Sequence, residues 1–286
     1  MAKIVDRLVD LIRETSSSLP EDVLKAIRSA MRKEERGKSA AVVLKTILDN
    51  CELAKKQSTP LCQDTGTLAF YVDESLKRKV TPAVIKKAVA IATERGYLRK
   101  NCIDSVTGRS YDDNCCDGAP VVHYVGNGEL GIGNGSVTLL LKGGGSENMS
   151  RQYSLPDASL GAGRDLEGVR KCILDAVVKA QGFGCAPGIL GVCIGGDRAT
   201  AYEVAKEQLL RPLDANEELR VKNEELRKLE KRILKEANEL VIGPMGLGGR
   251  TTLLGVKIAS RPRVPASFFV TVAYMCWACR RRTVSL

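Results

Sequence analysis

The sequence predicts an α+β protein in which a mixed β-sheet is flanked by helices and the N-terminal region, residues 1–58, is helical. Apolar residues in that region recur at the spacing of an amphipathic helix. Short apolar runs bounded by Gly, Asn and Asp follow, and such runs are typical of strands separated by turns. The chain has 286 residues, enough to bury a sizeable core, and no low-complexity tract divides it. We therefore expect one domain over residues 1–286.

The same patterns predict the individual elements in order. A helix should begin after Pro20, because Glu21 and Asp22 bring negative charge to its first turn. Residues 216–240 are rich in Glu-Leu-Arg and Lys-Leu-Glu steps, and they predict either an exposed helix stabilised by ion pairs or a short helical contact. The last strands are expected to rejoin the main sheet. The other predicted helices span residues 3–15, 20–33, 38–55, 82–95, 164–181 and 199–210, and the predicted strands span 68–72, 120–125, 136–141, 189–194, 253–259 and 268–275.

The chain has ten cysteines and a single histidine, His123. One imidazole allows at most one role as general base or metal ligand, and its position in an apolar strand favours a structural role. Soft sulfur ligands favour iron-sulfur clusters, zinc or Cu(I). The first residues have helical spacing instead of the apolar core of a signal peptide, so we expect a cytoplasmic protein with reduced cysteines. Four cysteines are expected to be small buried residues: Cys51, Cys102, Cys172 and Cys193.

The net charge of +10 raises the question of a nucleic-acid partner. Aromatic residues make up only 4% of the chain, which leaves little stacking surface, and no nucleic-acid-binding motif is present, so we expect no such partner. The run Arg280-Arg281-Arg282 is interpreted as a solvated C-terminal face or a contact with an acidic partner. A small anionic substrate would be attracted by the positive field. No apolar stretch is long enough for a membrane helix.

Several polar segments stand at the predicted strand ends. Residues 61–67 (LCQDTGT) carry a thiol, an amide, a carboxylate and a hydroxyl before a strand, as either a polar turn or a site. Residues 142–148 (KGGGSEN) can turn through positive φ and expose N–H groups, which favours anion binding over a plain turn. In the GGDR segment after the strand 189–194, a helix N-terminus with two glycines could hold an anion, or Asp197 could serve as the cap of that helix. In a third glycine-rich loop, 243–252, Arg250 is the natural anion ligand.

The pair Cys276-x-x-Cys279 is a weak cue for zinc or redox chemistry. A structural zinc site normally needs two such pairs, and the other close pair, Cys115-Cys116, is adjacent and cannot easily converge on one ion. A thioredoxin-like dithiol would normally open a helix after the first strand, whereas this pair lies near the C-terminus.

Taken together in their order, the segments from about residue 40 to the C-terminus resemble the α subunit, or N-terminal region, of the class I (iron-sulfur) fumarate hydratase and L-tartrate dehydratase family. The landmarks of this resemblance are PLCQDTG at 60–66, YLR at 97–99, KGGGSEN at 142–148, the segment 191–198, PAS at 265–267 and CWA at 276–278.

The resemblance implies a 4Fe-4S cluster held by Cys62, Cys185 and Cys276. Three protein ligands would leave one iron open, and that iron would act as a Lewis acid on the substrate's hydroxyl and carboxylate. The implied reaction is the reversible hydration of a four-carbon dicarboxylate of the fumarate/malate type. The implied substrate-binding residues are Gln63, Asp64, Arg99, Gly144 and Gly145.

The family's catalytic base, a threonine, lies in a C-terminal region that is a separate β subunit in two-chain members. The present sequence ends before that region, so the resemblance implies a β subunit as partner, in a dimer of heterodimers. Alternatives are an L-tartrate dehydratase α subunit, a non-catalytic iron-sulfur binding or sensing module, and a structural zinc protein. Cys279 could compete with Cys276 for the cluster.

Two positions depart from the family pattern. The family has a substrate-contacting histidine twelve residues before the third cluster ligand, where this chain has Val264. Either the substrate differs, Arg263 substitutes for the histidine, or activity is reduced. The segment 113–117 (DNCCD) stands where two-chain relatives tend to carry an Asn-Thr-Gly-Asp-Asn type of loop.

Overall fold

The computed structural model describes residues 2–126, 132–214 and 223–286, and it confirms the α+β class. The chain divides into two compact units. The first unit comprises Met1–Pro20, Asp49–Gly144 and Ala278–Leu286. The second unit comprises Glu21–Leu48 and Gly145–Trp277. Residues 216–222 of the predicted charged helix lie outside the described residues.

The predicted helices and strands are observed within a few residues among the described residues, but α5, β2, β3, β6 and β10 were not predicted. The helices are α1 Ala2–Ser17, α2 Glu21–Lys33, α3 Ser39–Gln57, α4 Pro82–Glu94, α5 Gly144–Asn148, α6 Leu166–Ala180, α7 Arg198–Gln208 and α8 Glu224–Glu239. The strands are β1 Thr67–Asp73, β2 Cys102–Ile103, β3 Ser110–Tyr111, β4 Val121–Val125, β5 Ser136–Lys142, β6 Arg151–Ser154, β7 Gly188–Gly195, β8 Leu253–Arg261, β9 Phe269–Met275 and β10 Arg280–Ser285.

The first unit is built on a four-stranded mixed sheet in the order β10-β5-β1-β4. Strand β1 runs parallel to β4 and antiparallel to β5, which also pairs antiparallel with β10. All seven residues of β5 are buried, as expected for a strand covered on both faces. Helix α1 packs against α4 and against β5 and β10, and its apolar stripe supplies Leu8 and Ile12 to the core.

The second unit contains another four-stranded mixed sheet, in the order β6-β9-β7-β8. All eight residues of β7 are buried. Helix α7 packs closely on this strand because Gly191 has no side chain: a Cβ there would lie 2.0 Å from the carbonyl oxygen of Ala205. Helices α6 and α8 contact each other, and their buried apolar residues join the same core cluster as those of the sheet.

Two expectations about the C-terminal half are corrected. Strands β8 and β9 belong to the second sheet, and only β10 joins the first, because hydrophobic periodicity carries no information about which strands pair. Helix α8 forms the expected i,i+4 ion pairs, as between Arg232 and Glu236, but one of its faces is buried.

No helix among the described residues is both long and apolar enough to cross a membrane.

Candidate active site

The segment that carries Cys62 lies between α3 and β1 in the first unit. Leu61 anchors it, because its side chain is only 4% exposed and its backbone N–H donates to the carbonyl of Ser16 at 2.9 Å. The next three side chains are accessible: Cys62 and Asp64 are half-buried, and Gln63 is exposed. The backbone of this segment is therefore anchored, while a thiol, an amide and a carboxylate on it are accessible to solvent.

This segment lies directly against the glycine segment that follows β5. That segment does not turn through positive φ as expected, because Gly144 and Gly145 open the short helix α5. Gly66, at φ 80°, has no side chain, and a Cβ there would meet the backbone carbon of Lys142 at 2.6 Å. A Cβ on Gly143 would lie 2.9 Å from Oδ2 of Asp64, and one on Gly144 would lie 3.7 Å from the same oxygen. Two of the predicted substrate-binding residues, Asp64 and Gly144, are thus neighbours in the first unit.

Arg280 is a residue of this region that the sequence analysis missed. The interpretation of residues 280–282 as a solvated face is wrong, because Arg280 is 1% exposed and Arg281 is 8% exposed. Arg280 opens β10, pairs with Leu141 on β5, and its Nη2 donates to the carbonyl oxygen of Asp64 at 2.9 Å. A run of three arginines at a chain end is typical of a solvated surface, so no signal in the sequence distinguishes this buried guanidinium.

The same end of the sheet contains two buried basic side chains, Arg280 and Lys142. Nε and Nη1 of Arg280 are buried and have no hydrogen-bond partner among the described residues. Lys142, at the end of the neighbouring strand, is only 4% exposed. A buried cation with unmet donors is costly unless negative charge compensates it. The arrangement therefore suits a region that holds anionic groups.

Arg99 lies elsewhere in the first unit, with its side chain exposed beside the buried Leu98. Its carbonyl oxygen accepts a hydrogen bond of 2.7 Å from Nδ2 of Asn114. Asn114 is 2% exposed and adopts φ 61°, a conformation that asparagine tolerates better than most residues. The segment 113–117, which differs from the family pattern, therefore supports the backbone of Arg99. The sequence did not reveal this role.

The second unit brings Cys185 and Cys276 close together. Cys185 is exposed at φ 49°, and its carbonyl oxygen accepts a 3.2 Å hydrogen bond from the N–H of Trp277, the residue after Cys276. Both thiols lie near the ring of Tyr274. Burial raises the pKa of Tyr274, and negative charge on Cys276 and then on Cys185 raises it further.

Glycines on both sides of Cys185 make this arrangement possible. A Cβ on Gly184 or on Gly188 would lie 2.5 Å from an atom of the Tyr274 ring. The two glycines therefore let the GCAPG segment pack against a ring that a larger residue at either position would displace.

The predicted cluster ligands are distributed over both units, with Cys62 in the first and Cys185 and Cys276 in the second. Among the described residues, no group of three or more His, Cys, Asp and Glu side chains is arranged to hold a metal ion. The donors themselves suit an iron-sulfur cluster, because all three are thiols that are half-buried or exposed. Four other cysteines are fully buried: Cys51, Cys172, Cys193 and Cys279.

One cysteine expectation is wrong. Cys102 was expected to be buried, but it is only half-buried because it opens the short strand β2. Cys279 is 1% exposed, which leaves it less accessible to a cluster than the half-buried Cys276.

Several other predicted polar positions have structural roles. The carboxylate of Asp197 accepts from the N–H groups of Ala199 and Thr200 and caps α7. His123 lies in β4, where it pairs in register with Tyr71 and stacks on its ring at 4.9 Å, which confirms its place in a strand. Gly145, the fifth predicted substrate-binding residue, is exposed near the start of α5 in the second unit.

Val264 lies in the loop between β8 and β9 and is 64% exposed. The neighbouring Arg263 packs over the ring of Phe268 at 4.4 Å, and its Nη1 donates to three carbonyl oxygens of the same loop. These contacts give Arg263 a structural role in its own loop.

Comparison with known proteins extends over nearly the whole chain. The family model described as fumarate hydratase (Fumerase) matches residues 5–285. A "Putative fumarate hydratase class I" of Geobacillus stearothermophilus is 48% identical over 291 residues, covering 100% of this chain and 55% of that protein. This chain therefore spans about half the length of that relative.

Two further relatives match along almost their entire length. A "Putative L(+)-tartrate dehydratase subunit alpha" of Methanocaldococcus jannaschii is 34% identical over 98% of this chain and 96% of that protein. The "L(+)-tartrate dehydratase subunit alpha" of Escherichia coli K12 is 27% identical over 99% of this chain and 90% of that protein. A family match over residues 5–285 and relatives of this extent show that the chain belongs to the fumarate hydratase (Fumerase) family.

Proposed function

We propose that this chain is the α subunit of an iron-sulfur hydro-lyase that reversibly hydrates a four-carbon dicarboxylate of the fumarate/malate type. The observation that carries the proposal is the 48% identity to a relative named as a class I fumarate hydratase, over the full length of this chain. The accessible polar groups at Cys62, Gln63 and Asp64 support it, because binding and chemistry need side chains that substrate can reach.

The proposed cofactor is a 4Fe-4S cluster held by Cys62, Cys185 and Cys276. When bound, it would supply a Lewis-acidic iron that polarises the hydroxyl and carboxylate of the substrate. Cys185 and Cys276 are already neighbours in the second unit through the Trp277 N–H···O bond of 3.2 Å. Tyr274 and the glycines beside Cys185 would hold that pair in position.

The chain's own residues would bind and orient the substrate. The exposed guanidinium of Arg99 would hold one carboxylate through paired N–H donors, and the exposed amide of Gln63 would contact the substrate's polar groups. The N–H groups of Gly144 and Gly145 would donate to a substrate oxygen. Asp64 would act from a fixed backbone, because Arg280 binds its carbonyl oxygen.

The proton-transfer step is assigned to a partner. No residue of this chain is proposed as the catalytic base, and the relatives named as subunit alpha support a separate β subunit that would supply it. We propose a dimer of heterodimers, working in the cytoplasm, where reducing conditions protect exposed thiols.

L-tartrate dehydration is the second candidate, and a specific observation favours it. This chain covers 96% and 90% of two relatives named as tartrate dehydratase subunits, but only 55% of the relative named as a fumarate hydratase. Val264, where the family has a substrate-contacting histidine, also fits a substrate other than fumarate.

The test is anaerobic purification of the chain with its β subunit, followed by iron and sulfide analysis and by turnover of fumarate, L-malate and L-tartrate. Iron, acid-labile sulfide and hydration of fumarate would support the main proposal. A higher kcat/KM for L-tartrate would instead support the second candidate. A cluster without turnover of any of these acids would favour the sensing module, and colourless protein with stoichiometric zinc would exclude both cluster-based functions.

A further inference from the structure

Two cysteines outside the proposed cluster ligands face each other in the first unit. The Sγ atoms of Cys102 and Cys116 lie 3.1 Å apart, although their sequence positions differ by fourteen. Both residues are half-buried, so small solutes can reach this side-chain pair. We propose that Cys102 and Cys116 form a reversible disulfide and constitute a redox modification site.

The backbone on the Cys102 side of the pair is held in place by Asn114. Its Oδ1 accepts hydrogen bonds from the N–H of Asn101 at 2.7 Å and from the N–H of Cys102 at 3.0 Å. Its Nδ2 donates to Oγ1 of Thr93 on α4 at 3.0 Å. Because Asn114 is 2% exposed, these bonds are shielded from water and hold the two segments at a fixed separation.

The backbone on the other side is held by Lys86 of α4. Its Nζ donates to the carbonyl oxygen of Cys116 at 2.9 Å. The thiol of the preceding residue, Cys115, donates to the carbonyl oxygen of Lys86 at 3.3 Å. The two adjacent thiols therefore point to different partners, and only that of Cys116 faces Cys102.

This geometry needs little rearrangement for bond formation. A disulfide requires the two sulfurs to approach to about 2 Å, which is a movement of roughly 1 Å for this pair. Burial raises the pKa of the Cys102 thiol to about 11, so this thiol is protonated at neutral pH. Formation of the disulfide therefore requires an oxidant.

A peroxide can serve as that oxidant, and the reaction balances in two steps. One sulfur attacks a peroxide oxygen and becomes a sulfenic acid, while the O–O bond breaks and water leaves. The second sulfur then attacks the sulfenic sulfur, the S–S bond forms, and a second water leaves. The two thiols lose two protons and two electrons in total, and these reduce one hydrogen peroxide to two waters. Thiol reductants reverse the modification.

The consequence concerns the backbone next to Arg99. Asn114, which bonds the carbonyl oxygen of Arg99 at 2.7 Å, lies inside the loop that the disulfide would close. Oxidation should therefore restrict this loop and the position of Arg99. An effect of this restriction on substrate binding by Arg99 rests on the proposed function. Formation of the disulfide does not depend on that function.

Peptide mapping of the full chain tests the proposal. The reduced protein is treated with hydrogen peroxide, its remaining thiols are alkylated, and it is digested with trypsin, which separates residues 101–109, with Cys102, from residues 110–142, with Cys115 and Cys116. The expected product is these two peptides joined with the loss of two hydrogens, and it should disappear after dithiothreitol treatment.

Single variants identify the partner of Cys102. Cys115→Ser should still give the joined peptides, whereas Cys116→Ser should not, and circular dichroism checks that both variants are folded. A link that persists in Cys116→Ser, or alkylation of Cys102 at peroxide concentrations that fully oxidise the exposed Cys185, would overturn the proposal. Because the readout is a mass, a failed disulfide is distinguishable from a failed hydro-lyase activity.

Discussion

The guanidinium of Arg280 holds the carbonyl oxygen of Asp64 at 2.9 Å, across 216 residues of sequence. Arg280 is 1% exposed, and two of its nitrogens, Nε and Nη1, have no partner among the described residues. A single hydrogen bond offsets only a small part of the free-energy cost of burying a charged side chain. The relationship therefore links a buried charged residue to the backbone of Asp64, the residue whose carboxylate is proposed to contact substrate.

Replacement of Arg280 by Met should reduce activity more than stability. The variant loses one hydrogen bond and relieves two unmet donors, so we expect the free energy of unfolding to fall by no more than about 1 kcal/mol. The value of kcat/KM should fall by at least about tenfold, because Asp64 loses its anchor. Urea denaturation and assays with the β subunit measure the two effects.

Arg282→Met is the matched control, since Arg282 is only partly buried and contacts Ser18 and Glu14 instead. It should leave kcat/KM close to that of the wild type. A loss of about 3 kcal/mol or more for Arg280→Met would show instead that this arginine is mainly structural.

A methyl group at Gly143 should displace the carboxylate of Asp64. The added Cβ would lie 2.9 Å from Oδ2 of Asp64, closer than van der Waals contact allows. Gly143→Ala should therefore raise KM or lower kcat by about tenfold or more, as expected for a misplaced active-site group. Gly133→Ala is the control, because a Cβ there meets nothing within 4 Å. Equal activity of both variants would show that Asp64 does not need this contact.

Serine at Cys276 should prevent cluster assembly, whereas serine at Cys279 should not. Cys276 is half-buried beside the segment of Cys185, but Cys279 is 1% exposed. The measurement is iron and acid-labile sulfide per chain after anaerobic reconstitution, with the visible absorbance of the cluster as a second readout. Cluster loss in Cys279→Ser with retention in Cys276→Ser would reverse the ligand assignment.

Histidine at position 264 should improve the use of fumarate. Val264 is 64% exposed, so the larger side chain fits without displacing the core, and the stability cost should stay within about 0.5 kcal/mol. A new hydrogen-bond donor should raise kcat/KM for fumarate several-fold relative to L-tartrate. An unchanged ratio of the two values would mean that Val264 is not at a substrate-contacting position.

The stability of the second unit should carry a pH dependence from Glu230. Burial raises the pKa of this carboxyl, although the N–H of Ile258 and the charge of Arg211 oppose the shift. Between its unfolded pKa of about 4.3 and its higher folded pKa, the folded chain binds more protons than the unfolded chain. The contribution of Glu230 to the free energy of unfolding should therefore decrease as pH rises through this window.

Glu230→Gln removes that titration while keeping an oxygen for the 2.6 Å bond from the Ile258 N–H. Urea denaturation from pH 4 to pH 7 should show the wild type losing stability relative to the variant as pH increases. Parallel curves would indicate that the folded carboxyl titrates as it does in the unfolded chain.

Residue patterns were sufficient to predict most of the longer helices and strands and the chemistry of the exposed segments. Helical and alternating periodicity depend on neighbours within a few residues, so α1, α6, β1 and β7 were predictable within a few positions. The cysteine-rich composition and the order of the landmark segments likewise indicated the family that the comparisons then confirmed. These properties are local, or depend only on order along the chain.

The tertiary structure alone decided how distant segments meet. Strand pairing brought Arg280 beside Asp64, and it buried part of a charged run that composition predicts to be exposed to solvent. Antiparallel pairing of β10 with β5 fixes both the register of β10 and how deeply it is buried. The facing thiols of Cys102 and Cys116 arise in the same way, from a hairpin and a buried asparagine between them. Burial and long-range contacts depend on how the whole chain folds, and local patterns along the sequence do not specify which distant segments meet.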